Sequence, residues 1–227
     1  MVRPALLKIE ATGMNVDDFD EKVYDYLDRR YGSCGGHRQQ LYQAAFDLAD
    51  QIVHGEGEAL AHERRDARIL RLAWEASKTG NLLCEAFADV LGNSRRVDRH
   101  IAKVIRLPYF LSPDEKEQSA KLKGARVYRG CTKSEAALSV KAKAGTCGLS
   151  WTLDPEVAGW FAGRIGQNGA VISGIVGSRG GAWLDTAESE VILPFGPDSI
   201  TLIESPWVNW DEWSWERTVI TPMQAQA

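Results

Sequence analysis

Cysteine is sparse and scattered: Cys34, Cys84, Cys131 and Cys147 stand far apart, with no CxxC pair. That spacing excludes a dense disulfide framework and a cysteine zinc site, and it fits a reducing compartment. Histidine is equally thin. His37, His54, His62 and His100 show no metal-ligand spacing, so no metal is expected. The first residues, "MVRPALLKIEATG", contain no apolar run long enough for a signal peptide or a membrane span, which gives a cytoplasmic protein as the expectation. Glycine-rich phosphate loops and the dinucleotide fingerprint are missing as well. Any nucleotide would have to be held another way.

What is present is an ordinary globular composition. The 227 residues are 44% hydrophobic, enough to bury a real core. Charge is unevenly spread. Residues 1–63 carry six Lys/Arg against twelve Asp/Glu, residues 64–126 fourteen against eight, and residues 127–227 seven against eleven. The middle segment is a basic band that could attract nucleic acid or an acidic partner; solvated helix faces with local ion pairs are the plainer account.

The pattern is helical from Val16 to about Arg106. "VDDFDEKVYDYLDRRY" sets Phe19, Val23, Tyr26, Leu27 and Arg30 at three- and four-residue steps, and "RQQLYQAAFDLADQIV" does so through Leu41, Ala45, Leu48 and Ile52. Three further helical stretches follow, then "LPYFLSPDEKEQSAKLKG", which reads as a connector. After Gly124 short strand patterns take over: "ARVYRG", "CGLSWTL", "GAVISGIVG", "ESEVILP" and "SITLIES". Between them lie brief helices, one with Asp154 as N-cap and Pro155 at its first position. "WVNWDEWSWERTVITP" is expected to close the sheet, with Trp207, Trp210, Trp213 and Trp215 packing on it. The expected fold class is α+β with mainly antiparallel pairing: a helical region over 1–124 and a β-rich domain over 125–227.

Three features of the β-rich half carry chemistry. Arg129 ends "RVYRG", and its planar fork of donors suits phosphate. Ser150 and Thr152 alternate in "LSWT", putting two hydroxyls on one strand face. Glu188 and Glu190 lead into the apolar run Val191–Leu193, where alternation puts both acids on one face at a cost in repulsion. A hydroxyl can hold a carboxylate in one rotamer, and an oriented carboxylate can stabilise positive charge developing on a sugar.

In this order, "VYRG", "GLSWTLDPEVAGWFAG" and "AESEVILPFG" resemble the mono-ADP-ribosyltransferases of the Arg–Ser–Glu class, which includes cholera-like and clostridial toxins and arginine-specific ectoenzymes. The likeness covers about Arg126 to Ile203, less than half the chain. Its middle motif departs from the family's Ser-Thr-Ser, reading Ser150-Trp151-Thr152, whereas the Glu-x-Glu is intact. The resemblance implies a split antiparallel β-sandwich catalytic core over 125–227 that uses NAD as substrate. Arg129 would hold the NAD phosphates and Gly130 would offer its backbone to the nicotinamide amide. Ser150 would orient Glu190, with Thr152 supporting the same face. Glu190 would bind the ribose 2′-hydroxyl and stabilise the oxocarbenium-like transition state; Glu188, in the family's mobile loop before the strand, would position or deprotonate the acceptor. Trp160 or Phe161 would stack on the nicotinamide, and Trp183, in a glycine-rich loop, would contact the acceptor.

The implied activity is transfer of ADP-ribose to a macromolecule, protein arginine by the Glu-x-Glu analogy, in an intracellular toxin or effector. Two other outcomes share the chemistry: a nucleic-acid acceptor reached through the basic 64–126 segment, or water, making the protein an NAD glycohydrolase. A degenerate fold kept as a binding module is the non-enzymatic reading. A toxin of this kind also implies an antitoxin or immunity partner, and no membrane is involved.

Overall fold

The computed structural model describes residues 16–32, 36–55, 64–76, 81–92, 97–142 and 148–203. Two compact units divide between Phe110 and Leu111.

The first unit is helical. It comprises α1 (Val16–Tyr31), α2 (Gly36–Val53), α3 (Arg64–Glu75), α4 (Leu82–Leu91) and α5 (Val97–Val104). The apolar steps do what their spacing dictates: Phe19, Val23 and Leu27 of α1 are buried, as are Leu41, Ala44, Ala45 and Ala49 of α2. Trp74, Leu83, Phe87 and Ile101 extend this core. Asn81 caps α4 by accepting from Cys84 N–H at 3.1 Å, and Gly92 ends it in the left-handed conformation. Cations of the basic band are bound up within the unit. Arg68 makes a fork of two 2.6 Å bonds to Asp20, Arg71 meets Glu75 at 2.6 Å, and Arg65 meets Asp66 at 2.7 Å.

The second unit begins with α6 (Pro113–Ala120), a capped helix where the sequence reads as a connector. Ser112 and Glu115 form a reciprocal capping box around Pro113. The sheet follows: β1 (Arg126–Thr132), α7 (Lys133–Ala142), β2 (Ser150–Thr152), α8 (Pro155–Arg164), a single 3-10 turn, β3 (Gly169–Ile175), β4 (Ala182–Trp183), β5 (Glu190–Ile192) and β6 (Ser199–Ile203). Asp154 caps α8 as expected, accepting from Glu156 N–H at 2.8 Å. The fold is thus mixed helix and antiparallel sheet.

The six strands run in the order β4-β5-β2-β1-β3-β6, all neighbours antiparallel. Where two packed sheets are the expectation, the described strands form one open sheet with a weak seam. β1 pairs with β3 over seven residues, but it meets β2 at Tyr128↔Thr152 alone. Two three-stranded halves are therefore joined by one backbone pair. Val127, Cys131, Trp151, Val191 and Leu193 share one core on one side of the sheet. Tyr128 packs with Ala158 and Ala162 of α8 in a second cluster. The Trp-rich segment expected to close the sheet lies outside the described residues, as do Cys34, Cys147 and His62.

Candidate active site

β5 opens at Glu190, and its apolar residues explain why it is interior. Val191 and Ile192 are fully buried between β4 and β2; burying side chains of this size stabilises by about 1.5–3 kcal/mol each. Glu190 sits at the mouth of this strand, its Cα directly across from Thr152. Ser150 faces Ile192 in the same register, so it lies diagonal to Glu190 on the same sheet face. The hydroxyl immediately opposite Glu190 is therefore that of Thr152, the residue expected only to support.

Glu188 does not share a strand with Glu190, as plain alternation would have it. Residues 186–189 form a tight turn, with Ser189 N–H donating to Thr186 O at 2.9 Å and Ser189 at φ +44°. Left-handed backbone at a residue with a Cβ costs about 1–2 kcal/mol. The turn is held from β2: Thr152 Oγ1 donates to Glu188 O at 2.7 Å and accepts from Asp154 N–H at 3.0 Å. Burial pushes the Glu188 carboxyl above its ordinary value, the Glu190 charge pushes it further, and Arg164 pulls it back. The two acids are thus near enough to repel although they lie on different elements.

Arg129 reaches the same short strand from its other side. Past Tyr128↔Thr152 the ladder between β1 and β2 stops, and the guanidinium bridges the gap: Nη1 donates to Ser150 O at 2.6 Å. Nη2 faces Glu135 Oε1 at 3.3 Å. The Nε is buried with no acceptor among the described residues. Gly148, at φ +47°, closes against this group; a Cβ there would stand 2.6 Å from the Arg129 Cζ. Arg129, Ser150, Thr152 and Glu190 are consequently gathered around β2, with Glu188 tied to it through its carbonyl.

The remaining expected residues fall less simply. Gly130 faces α8: a Cβ would stand 2.5 Å from Ala162 N and 2.8 Å from Phe161 Cβ, so close helix packing already demands glycine there. Trp160 and Phe161 are partly buried and stack edge-on at 5.0 Å, with the Arg164 guanidinium 4.8 Å from the Trp160 ring centroid. Trp183 is a correction. It lies in β4 opposite Val191 and packs against the core cluster containing Trp151, not out in a free loop. Trp151 itself is 2% exposed and points into that core. Trp151 is thus turned away from the hydroxyls of Ser150 and Thr152.

Sequence reading missed Glu135, Gly148 and Arg164. Glu135 had a usable signal, because Thr132-x-x-Glu135 opens α7 and Thr132 Oγ1 accepts from Glu135 N–H at 3.1 Å. Among the described residues no group of three or more His, Cys, Asp or Glu could hold a metal ion, and no helix is long and apolar enough to cross a membrane. No protein-family model, curated protein or solved structure matches the chain.

Proposed function

We propose that the protein is an NAD-dependent mono-ADP-ribosyltransferase, acting on protein arginine as an intracellular toxin or effector. The observation that carries this reading is the convergence on β2: the Arg129 guanidinium on the Ser150 carbonyl from one side, and Glu190 in register with Thr152 from the other. The split β-sandwich of such enzymes is the finer fold reading, supported by the seam at Tyr128↔Thr152.

NAD is the substrate, and the residues fit its charges. Arg129 is a planar cation with a buried, unpaired Nε, suited to a pyrophosphate oxygen. Glu190 accepts from the 2′-hydroxyl of the nicotinamide ribose. The bond between the ribose C1′ and the nicotinamide nitrogen breaks, its electron pair leaving with neutral nicotinamide. Positive charge then grows at C1′, where the fixed carboxylate stabilises it. An arginine guanidine nitrogen attacks C1′ with inversion, and its proton passes to Glu188. A carboxylate raised above its ordinary value is a better base for that proton.

The nucleic-acid version is weakened by the ion pairs of Arg65, Arg68 and Arg71 within the helical unit. Adenylate-labelled NAD, offered separately with protein extract and with RNA and followed by mass spectrometry of the product, tests the proposal. Label on protein arginine is the expected result; label confined to RNA overturns the acceptor assignment. Glu190→Gln is expected to lower NAD turnover at least a hundredfold, and unchanged turnover removes the catalytic assignment. Glu188→Gln is expected to abolish transfer while sparing NAD hydrolysis.

A further inference from the structure

Helix α6 has no apolar face to explain its place. Its buried residue is an acid, Glu115, only 6% exposed. Both carboxylate oxygens are committed. Oε2 accepts from Ser112 N–H at 2.9 Å, closing the capping box, while Oε1 accepts from Asp185 N–H at 2.9 Å, seventy residues on. One turn later Ser119 repeats the contact. Its Oγ accepts from Trp183 N–H at 2.8 Å and donates to Glu115 O at 2.6 Å. Capping the helix needs one oxygen of Glu115; the other serves the sheet.

Trp183 and Asp185 are two apart, so their N–H groups leave the chain on the same side, away from β5. α6 thus holds the backbone immediately before the turn that carries Glu188. The far end of that turn is held by Leu184 N–H on Glu190 O at 2.8 Å and by the Thr152 hydroxyl on Glu188 O. Burying a carboxylate is costly unless it is fully hydrogen-bonded, and here that buried charge fixes the near end of the turn.

We propose that α6 is a clamp on the acceptor turn, with Glu115 and Ser119 as positioning residues that set how ADP-ribose partitions between a macromolecular acceptor and water. This rests on the transferase reading, because it assigns a consequence to where Glu188 is held. Releasing the clamp leaves Arg129 and Glu190 in place, so cleavage of NAD continues. The Glu188 carboxylate loses its fixed position, and water takes a larger share of the product.

The test uses the full chain as wild type, Ser119→Ala, Ser119→Thr and Glu115→Ala, with polyarginine as the acceptor. Hydrogen exchange over residues 183–190 is expected to quicken at least tenfold in Ser119→Ala and Glu115→Ala, and to return toward wild type in Ser119→Thr. The ratio of transfer to NAD hydrolysis is expected to fall about tenfold in the two alanine variants, with KM for NAD within twofold of wild type and the threonine variant restored. Ser119→Ala keeps the capping box, so it carries the test even where Glu115→Ala fails to fold. Unchanged exchange overturns the clamp. Faster exchange with an unchanged ratio, or with transfer and hydrolysis falling equally, overturns the positioning role. A wild type that turns over no NAD sinks the transferase reading and the partitioning role with it, while exchange still decides whether α6 holds the turn.

Discussion

Replacing Thr152 by Val removes one hydroxyl while nearly preserving shape, so the change leaves no cavity. The lost oxygen serves two backbone groups, the Glu188 carbonyl at 2.7 Å and the Asp154 N–H at 3.0 Å. Each such bond contributes about 1 kcal/mol net, and an orphaned buried partner adds to the loss. Thr152 is 5% exposed, but both partner residues are only half-buried, so water can recover part of the deficit. The expected cost is therefore about 2 kcal/mol. Urea unfolding followed by tryptophan fluorescence reads it, because of eight tryptophans only Trp74 precedes Leu111 and the signal reports chiefly on the sheet unit. Thr152→Ser keeps both bonds and is expected to stay within about 0.5–1 kcal/mol of wild type. In Thr152→Val the Glu188 turn also loses its tie to β2, so transfer should fall further than NAD hydrolysis. A valine variant with the wild-type midpoint and the wild-type product ratio would refute the role given to this hydroxyl.

Gly130→Ala is expected to destabilise the sheet unit by about 1–3 kcal/mol through overpacking against α8, visible in a thermal melt without NAD; an unchanged melt with weakened NAD binding would favour the nicotinamide contact instead. Glu188 gives a signed pH dependence. Its carboxyl is raised by burial first and by Glu190 second, so the folded protein holds its proton more tightly than the unfolded chain. This group's contribution to stability therefore falls as pH rises from the ordinary value of 4.5 through the raised one. Glu188→Gln should match wild type in urea at acid pH and exceed it at neutral pH; a gap that does not grow with pH speaks against a raised carboxyl. Wild-type transfer should also decline as pH drops through the same window. Finally, Arg68→Ala strands the partly buried Asp20, while Glu75 keeps Arg71, and should cost about 2 kcal/mol, with RNA affinity unchanged in a filter-binding assay; a large loss of RNA binding would restore the basic band as an interface.

Much of the site is legible because its chemistry sits on strands, where residue type and alternation say which side chains share a face. Ser150, Thr152 and Glu190 belong to this class, and so does the Asp154-Pro155 helix start. For Glu188, plain alternation and the resemblance point different ways: alternation carries it onto the strand face of Glu190, whereas the resemblance sets it in a loop before the strand, and the left-handed Ser189 is where the alternation breaks. Helix α6 escaped for a different reason. Its signal is a capping box, not an apolar stripe, and the proline before it reads as a connector. β4 escaped with it, since two residues in a glycine-rich stretch are too short a run to show alternation and are held by pairing with β5 and by Ser119. The contacts of Glu135 and Gly148 with Arg129 are visible only once the chain has folded, although the helix start at Thr132-x-x-Glu135 is readable beforehand.

The side chains of α6 occupy amide hydrogens on the outer margin of β4 that would otherwise invite a foreign strand. A shortened protein beginning at β1, where the sequence pattern changes, would lose that cover. Its bare margin would be free to recruit the same margin of a neighbouring molecule. Expression of the isolated β-rich half should therefore start no later than Leu111, and a fragment starting at Arg126 should self-associate on concentration.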